Sequence, residues 1–220
     1  MTADPARNAA LEILTAALAR KAALEAALEG PSMAALGPKD RAFARALAMA
    51  ALRHLGPIDR VLQGRLQREP PDAVRAILRL GAAQLFYLDT PAYAAVDSSV
   101  ALARASRATA GFKALVNAVL RGLDRDGAPV EDPAALAPDW LLARWRAAYG
   151  EADTLATAAL IAAEPDTDIT PRRIEDAPAL AEALEARPLP GGSLRRGARG
   201  RVETWPGFAE GRWWVQDAAA

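Results

Sequence analysis

Gly111-Phe112-Lys113-Ala114-Leu115-Val116-Asn117-Ala118-Val119-Leu120-Arg121 decides the fold of this chain. Phe112, Val116, Val119 and Leu120 recur at the three- and four-residue steps of one helical face, while Lys113, Asn117 and Arg121 repeat every four residues on another. Such a helix buries one side and presents a stripe of hydrogen-bond donors on the other. The stripe has the pitch to track phosphates, with Asn117 able to reach a base edge or cap a neighbouring helix. Its spacing is met equally by a solvated helix face on which Asn117 ties down a loop.

The same period extends back to the amino terminus. Asp4-Pro5 reads as N-cap and first helical residue, followed by Leu11, Leu14 and Leu18. A short helix around Leu24 and Leu28 stops at Gly30-Pro31, and Gly37-Pro38 opens a long one with Phe43, Leu47 and Ala51 inward, ending at Gly56-Pro57. Ile58, Val61 and Leu62 make the next helix, broken by Pro70-Pro71. Val74, Ile77, Leu78, Gly81 and Leu85 form another, and Pro91 opens one with Val96, Val100 and Ala103 inward. Six or seven helices with short connections and one apolar face each predict an all-α bundle.

Composition narrows the chemistry. With 220 residues, 52% hydrophobic and 25% charged, the chain is long enough for two domains. It has no cysteine, which excludes disulfides, thiolate metal sites and a cysteine nucleophile within these residues. His54 is the only histidine, so an imidazole-rich metal site is excluded too, and a plain helix-end or surface role is expected for it. No apolar run approaches the roughly 18 residues that span a bilayer, which predicts a cytoplasmic protein. The formal net charge of zero hides a split: residues 1–130 carry 17 Lys or Arg against 12 Asp or Glu, and the remainder 10 against 15. A first part at +5 points mildly to a polyanionic partner.

A second domain is predicted after Gly127-Ala128-Pro129. Pro138-Asp139-Trp140 opens a helix expected to bury Trp140, Leu141 and Trp145 and to end at Gly150, with a second helix from Glu151 to about Ala163. Thr167-Asp168-Ile169-Thr170 reads as a strand, residues 178–186 as a helix and residues 194–205 as one or two strands, which makes a small α+β unit over 129–206. Gly191-Gly192 and Gly197-Ala198-Arg199-Gly200 lack the strand-to-helix setting of a nucleotide loop and read as turns. The carboxylate pairs Glu164/Asp166 and Asp124/Asp126 read as solvated loop acids. Trp213-Trp214-Val215-Gln216-Asp217-Ala218-Ala219-Ala220 reads as an aromatic pair followed by the opening of a helix near Gln216.

The phrase FKALVNAVLR, together with Arg7-Asn8-Ala9-Ala10, Asp40-Arg41-Ala42-Phe43, residues 77–85 and Ala94-Ala95-Val96-Asp97, resembles the NusB family over about residues 1–125. It resembles more closely the NusB-like first domain of RsmB-type (Fmu) 16S ribosomal RNA cytosine-5 methyltransferases, whose junction into the S-adenosylmethionine domain is similar to GFAEGRWWVQDAAA at residues 207–220. The resemblance implies a mainly α protein with a NusB-like RNA-binding bundle over 1–128. It implies Arg7, Arg41, Arg45, Lys113, Asn117 and Arg121 as candidates for the RNA face, and small-subunit ribosomal RNA as partner. It also implies that residues 207–220 begin a methyltransferase domain lying beyond them. In the resembled family a cysteine thiolate adds to C6 of cytosine while S-adenosylmethionine supplies the methyl group. Neither the thiol nor the cofactor loop has a counterpart in these residues, so no catalysis, metal or cofactor is expected of them alone. Two other readings are an antitermination factor that grips a leader RNA, which would end near residue 130, and a helical adaptor without affinity for RNA.

Overall fold

A computed structural model describes residues 4–19, 24–197 and 200–218. Ten α-helices lie among them: α1 (Pro5–Leu18), α2 (Leu24–Leu28), α3 (Pro31–Ala34), α4 (Pro38–Arg53), α5 (Leu55–Gln63), α6 (Asp72–Phe86), α7 (Ala92–Ala105), α8 (Lys113–Asp126), α9 (Asp139–Ala159) and α10 (Ala177–Ala183). Four short strands, β1 (Thr167–Pro171), β2 (Arg187–Pro188), β3 (Leu194–Arg196) and β4 (Trp213–Val215), come after α9 among the described residues, with α10 between β1 and β2. The architecture is mainly α with a small α+β part, as the periodicity predicts.

Most stop and start signals act where they stand, but Gly56-Pro57, expected to end the long helix, lies inside α5, because α4 already ends at Arg53 and α5 begins at Leu55. Asp4 caps α1 by accepting from the backbone N–H groups of Ala6 and Arg7 at 2.9 and 3.2 Å. Glycine-proline steps open α3 and α4. Gly127, at φ 82°, ends α8 in a conformation that a Cβ disfavours. The inward stripes meet in one core in which Ile13, Leu14, Leu47, Ile58, Leu62, Ile77, Leu78, Leu80, Leu120 and Leu123 are fully buried. Helix α6 is central, packing against α1, α4, α5, α7 and α8. Gly81 permits this approach, since a Cβ there would lie 2.5 Å from Leu120 Cδ1 and 2.8 Å from Ser99 Oγ. His54 sits at the α4–α5 corner, its ring stacked on Tyr87 with centroids 3.6 Å apart. Of the two expected roles, helix end or surface, this is the helix end.

The chain divides into two compact units, Met1–Ala162 and Ala163–Ala220. The junction expected at 128/129 thus lies inside the first. Two contacts account for this: Asp132 accepts from Arg60 Nη1 at 2.7 Å, and a Cβ on Gly56 would collide with the carbonyl oxygen of Ala135. Helix α9 breaks at Gly150 (φ 81°, ψ 175°), where the sequence reading ends one helix and starts another. Its local core is narrow, with Ala137, Leu142 and Ala158 buried and Leu141 and Trp145 half-covered. Trp140, expected inside, is 67% exposed. Leu142, two residues on and so on another side of the helix, takes the buried position.

In the second unit β1 is central, paired antiparallel with β3 (Ile169 opposite Leu194) and with β4 (Ile169 opposite Val215, Pro171 opposite Trp213), and β2 pairs with β3 at the edge. Ile169, Leu194, Trp213 and Trp205 pack with Leu180 and Leu184 of the α10 segment. One expectation is corrected here. Among the described residues of 194–205 only Leu194–Arg196 is strand; Val202–Thr204 is a 3₁₀ turn that swings Trp205 into the core. Trp213–Val215 is a strand, and the N–H of Gln216 donates to the Asp168 carbonyl at 3.1 Å, so the aromatic pair belongs to the sheet, while the helix expected near Gln216 would continue into residues that are not described. Ala198, Arg199, Ala219 and Ala220 lie outside the described residues.

Candidate nucleic-acid interface

The donor stripe of α8 is positioned by the turn that precedes it. Thr109, buried, donates from Oγ1 to the Ala103 carbonyl at 2.8 Å, and a 3₁₀ turn over Ala110–Phe112 leads straight into Lys113. A connection this short makes α7 and α8 antiparallel neighbours. Val116, Val119, Leu120 and Leu123 go into the core, which leaves Lys113 and Arg121 exposed and Asn117 half-buried on the outer side.

Between the two helices lies a groove of about 330 Å³. From α8 it is lined by Lys113, Asn117 and Arg121; from α7 come Tyr93, Asp97 and Arg104, with Val96 and Val100 beneath. Arg121 Nε donates to Asn117 Oδ1 at 3.1 Å, which orients the amide. Tyr93 is 77% exposed. Three cations and one carboxylate thus surround an apolar floor beside an open aromatic ring, an arrangement that can hold phosphates and stack a base. A neighbouring depression shares Tyr93, Asp97 and Arg121 and adds Asp4, Arg7 and Ser98.

The structure gathers four of the six sequence candidates, Lys113, Asn117, Arg121 and Arg7, around this pair of hollows. Arg7 is largely covered. Its Nε donates to Gln84 Oε1 at 2.7 Å, its Nη1 pairs with Asp4 at 2.7 Å, and its guanidinium lies 4.8 Å from the Phe43 ring centroid. Arg41 and Arg45 do not line either hollow. Arg41 instead donates to the carbonyls of Met33 and Leu36 at 3.1 and 2.9 Å, closing the end of α3, and Arg45 is exposed on α4. Sequence reading missed Tyr93, Asp97 and Arg104. Tyr93 precedes Val96 and Val100 at helical spacing and so reads as one more core residue; only its exposure marks it otherwise.

Gly191-Gly192 forms the turn between antiparallel β2 and β3, not a loop from a strand into a helix, and no thiol is available. These residues do not fit S-adenosylmethionine. Among the described residues no cluster of three His, Asp or Glu could hold a metal, and no helix is long and apolar enough to cross a membrane.

A model of the NusB family matches residues 4–125, more than half of the chain, and the chain belongs to that family. It is 34% identical over 209 residues to a probable ribosomal RNA small subunit methyltransferase B of Synechocystis, covering 84% of this chain and 46% of the relative. The protein of that name from Xanthomonas campestris is 34% identical, with 97% of this chain and 51% of the relative covered. In the Thermus thermophilus protein the identity is 42% over 119 residues, covering 51% of this chain and 28% of the relative. The chain spans about half the length of the first two. Among solved structures, PH0851 aligns with a TM-score of 0.61 at 16% identity, over 100% of this chain and 54% of that one. T. maritima NusB aligns at 0.50 and 22% identity, over 59% of this chain and 96% of its own. Both likenesses concern the fold.

Proposed function

We propose that this chain is the RNA-engaging, substrate-targeting part of a cytoplasmic, S-adenosylmethionine-dependent methyltransferase acting on cytosine C5 of small-subunit ribosomal RNA. The relatives' names support the reaction class. The observation that carries the RNA reading is the α7–α8 groove, where Arg104, Lys113 and Arg121 converge beside exposed Tyr93. In this reading the cations neutralise backbone phosphates and release their counterions, and Tyr93 stacks a base. Arg121 holds the Asn117 amide in place, and Gln84 and Asp4 hold Arg7 at the adjoining hollow. These residues bind and orient RNA, and the methyl transfer belongs to groups outside them.

The test is fluorescence anisotropy with a labelled helix-loop RNA at several salt concentrations. Replacing Lys113 and Arg121 with alanine weakens binding and flattens its salt dependence by roughly one unit of slope or less per lost phosphate contact. Unchanged affinity and slope in the folded double variant would leave the stripe as a solvated face and favour a helical adaptor.

A further inference from the structure

The geometry points to base selection in the α7–α8 groove: an unpaired RNA base seated on Tyr93 is chosen for an exocyclic amine, adenine or cytosine over uracil, with Asp97 as the selecting residue. This rests on the RNA reading above and goes beyond it. Asp97 is exposed, lines both hollows, and among the described residues has no hydrogen-bond or ion-pair partner although Arg104, Lys113 and Arg121 line the same groove. A free carboxylate repels phosphate, so it has no use along the backbone path. It does have a use at a base edge.

Position and chemistry agree on which edge. Asp97 follows Tyr93 by four residues on α7, one turn along the same face, which puts the carboxylate beside the ring on which a base would stack. An ionised carboxylate only accepts hydrogen bonds. Asn117 complements it: its Oδ1 already accepts from Arg121 Nε, which leaves the amide N–H groups to donate. An acceptor and a donor together match a base edge that offers an amino group next to a ring nitrogen, as adenine and cytosine do. Uracil presents a carbonyl oxygen where those bases carry the amine, and that oxygen would face the carboxylate. Val96 and Val100 supply the apolar floor, and the three cations take the flanking phosphates.

The experiment titrates the 220-residue chain against fluorescein-labelled rA12, rC12 and rU12 at low salt. The expected result is about tenfold weaker binding of rU12 than of rA12 or rC12, within the range a paired base contact supplies. Asp97→Asn, an exposed change that leaves the helical circular dichroism intact, brings the three affinities within about twofold of one another. Tyr93→Ala weakens all three together. Equal binding of the three RNAs by the unaltered chain, or a preference that survives Asp97→Asn, overturns the base selection and leaves the RNA reading standing. No binding to any of them overturns the RNA reading itself.

Discussion

Helix α6 lies at the centre of the bundle with Gly81 against Leu120, and its neighbours are joined to it by many aliphatic side chains of similar size. In the β1–β4 unit the work falls to a few groups. Trp205 and Trp213 fill a core that among the described residues has six buried members, Arg196 lies 4.2 Å over the Trp205 ring, and Arg195 grips Asp168 across β1 and β3 at 2.5 and 2.8 Å. A core built from many small contributions tolerates the loss of any one. A core built from two indoles and an ion pair does not. The difference follows from size, because a short segment with strands of two to five residues buries too little aliphatic surface and leans on aromatic area and specific polar bonds.

The harshest way to break this comparison is to bury a charge in the bundle. Val116 is fully buried, and Val116→Asp is expected to abolish the cooperative helical melt, at a cost of several kcal/mol. A native-like melt of that variant would show the α8 face to be less closely packed than it stands here. Next comes Trp213→Ala, expected to cost about 3–5 kcal/mol and to unfold the sheet unit while the bundle's helical signal persists. If circular dichroism and tryptophan fluorescence are lost together, the two units fold as one.

Acid separates the units by where each loses stability. The Arg195 guanidinium, aided by the Ala218 N–H, holds the Asp168 carboxyl at about 2, below its ordinary 3.8, against the effect of burial. A carboxylate depressed in the folded state contributes stability that is complete above its unfolded value and is lost as pH falls from about 4 toward 2. In the bundle, burial of His54, with Arg53 adding and Glu131 opposing, keeps its imidazole below the ordinary 6.5. Its neutral form is favoured by folding, so that contribution is complete above about pH 6.5 and declines as pH falls through the lowered folded value. Denaturant midpoints measured against pH are expected to show both limbs. His54→Phe removes the upper limb alone, and Asp168→Asn the lower alone. The smallest effect on stability belongs to Lys113→Ala and Arg121→Ala, within about 0.5 kcal/mol each, since both are exposed; a larger loss in thermal melts would mean that the stripe holds the fold together.

By itself the sequence determined the bundle and its caps. The helices α1, α2 and α4–α8 follow contacts three and four residues apart, and Asp4, Gly37-Pro38 and Gly127 mark ends that stand in the chain, whereas the short α3 and the break between α4 and α5 at His54, ahead of Gly56-Pro57, came only with the structure. The outward stripe of Lys113, Asn117 and Arg121 was legible for the same reason. The tertiary structure alone decided what faces that stripe. Tyr93, Asp97 and Arg104 join it only because the Thr109 turn folds α7 back along α8, and Arg41 leaves it because its guanidinium closes α3. The sheet unit was legible least. Trp213 turns inward and Trp214 outward because β4 pairs with β1, more than forty residues earlier, and Trp205 leaves the strand pattern because the unit's core needs its ring. Helical period is a local property of the chain, whereas strand register and the convergence of side chains into a groove depend on residues brought together only when the chain is folded.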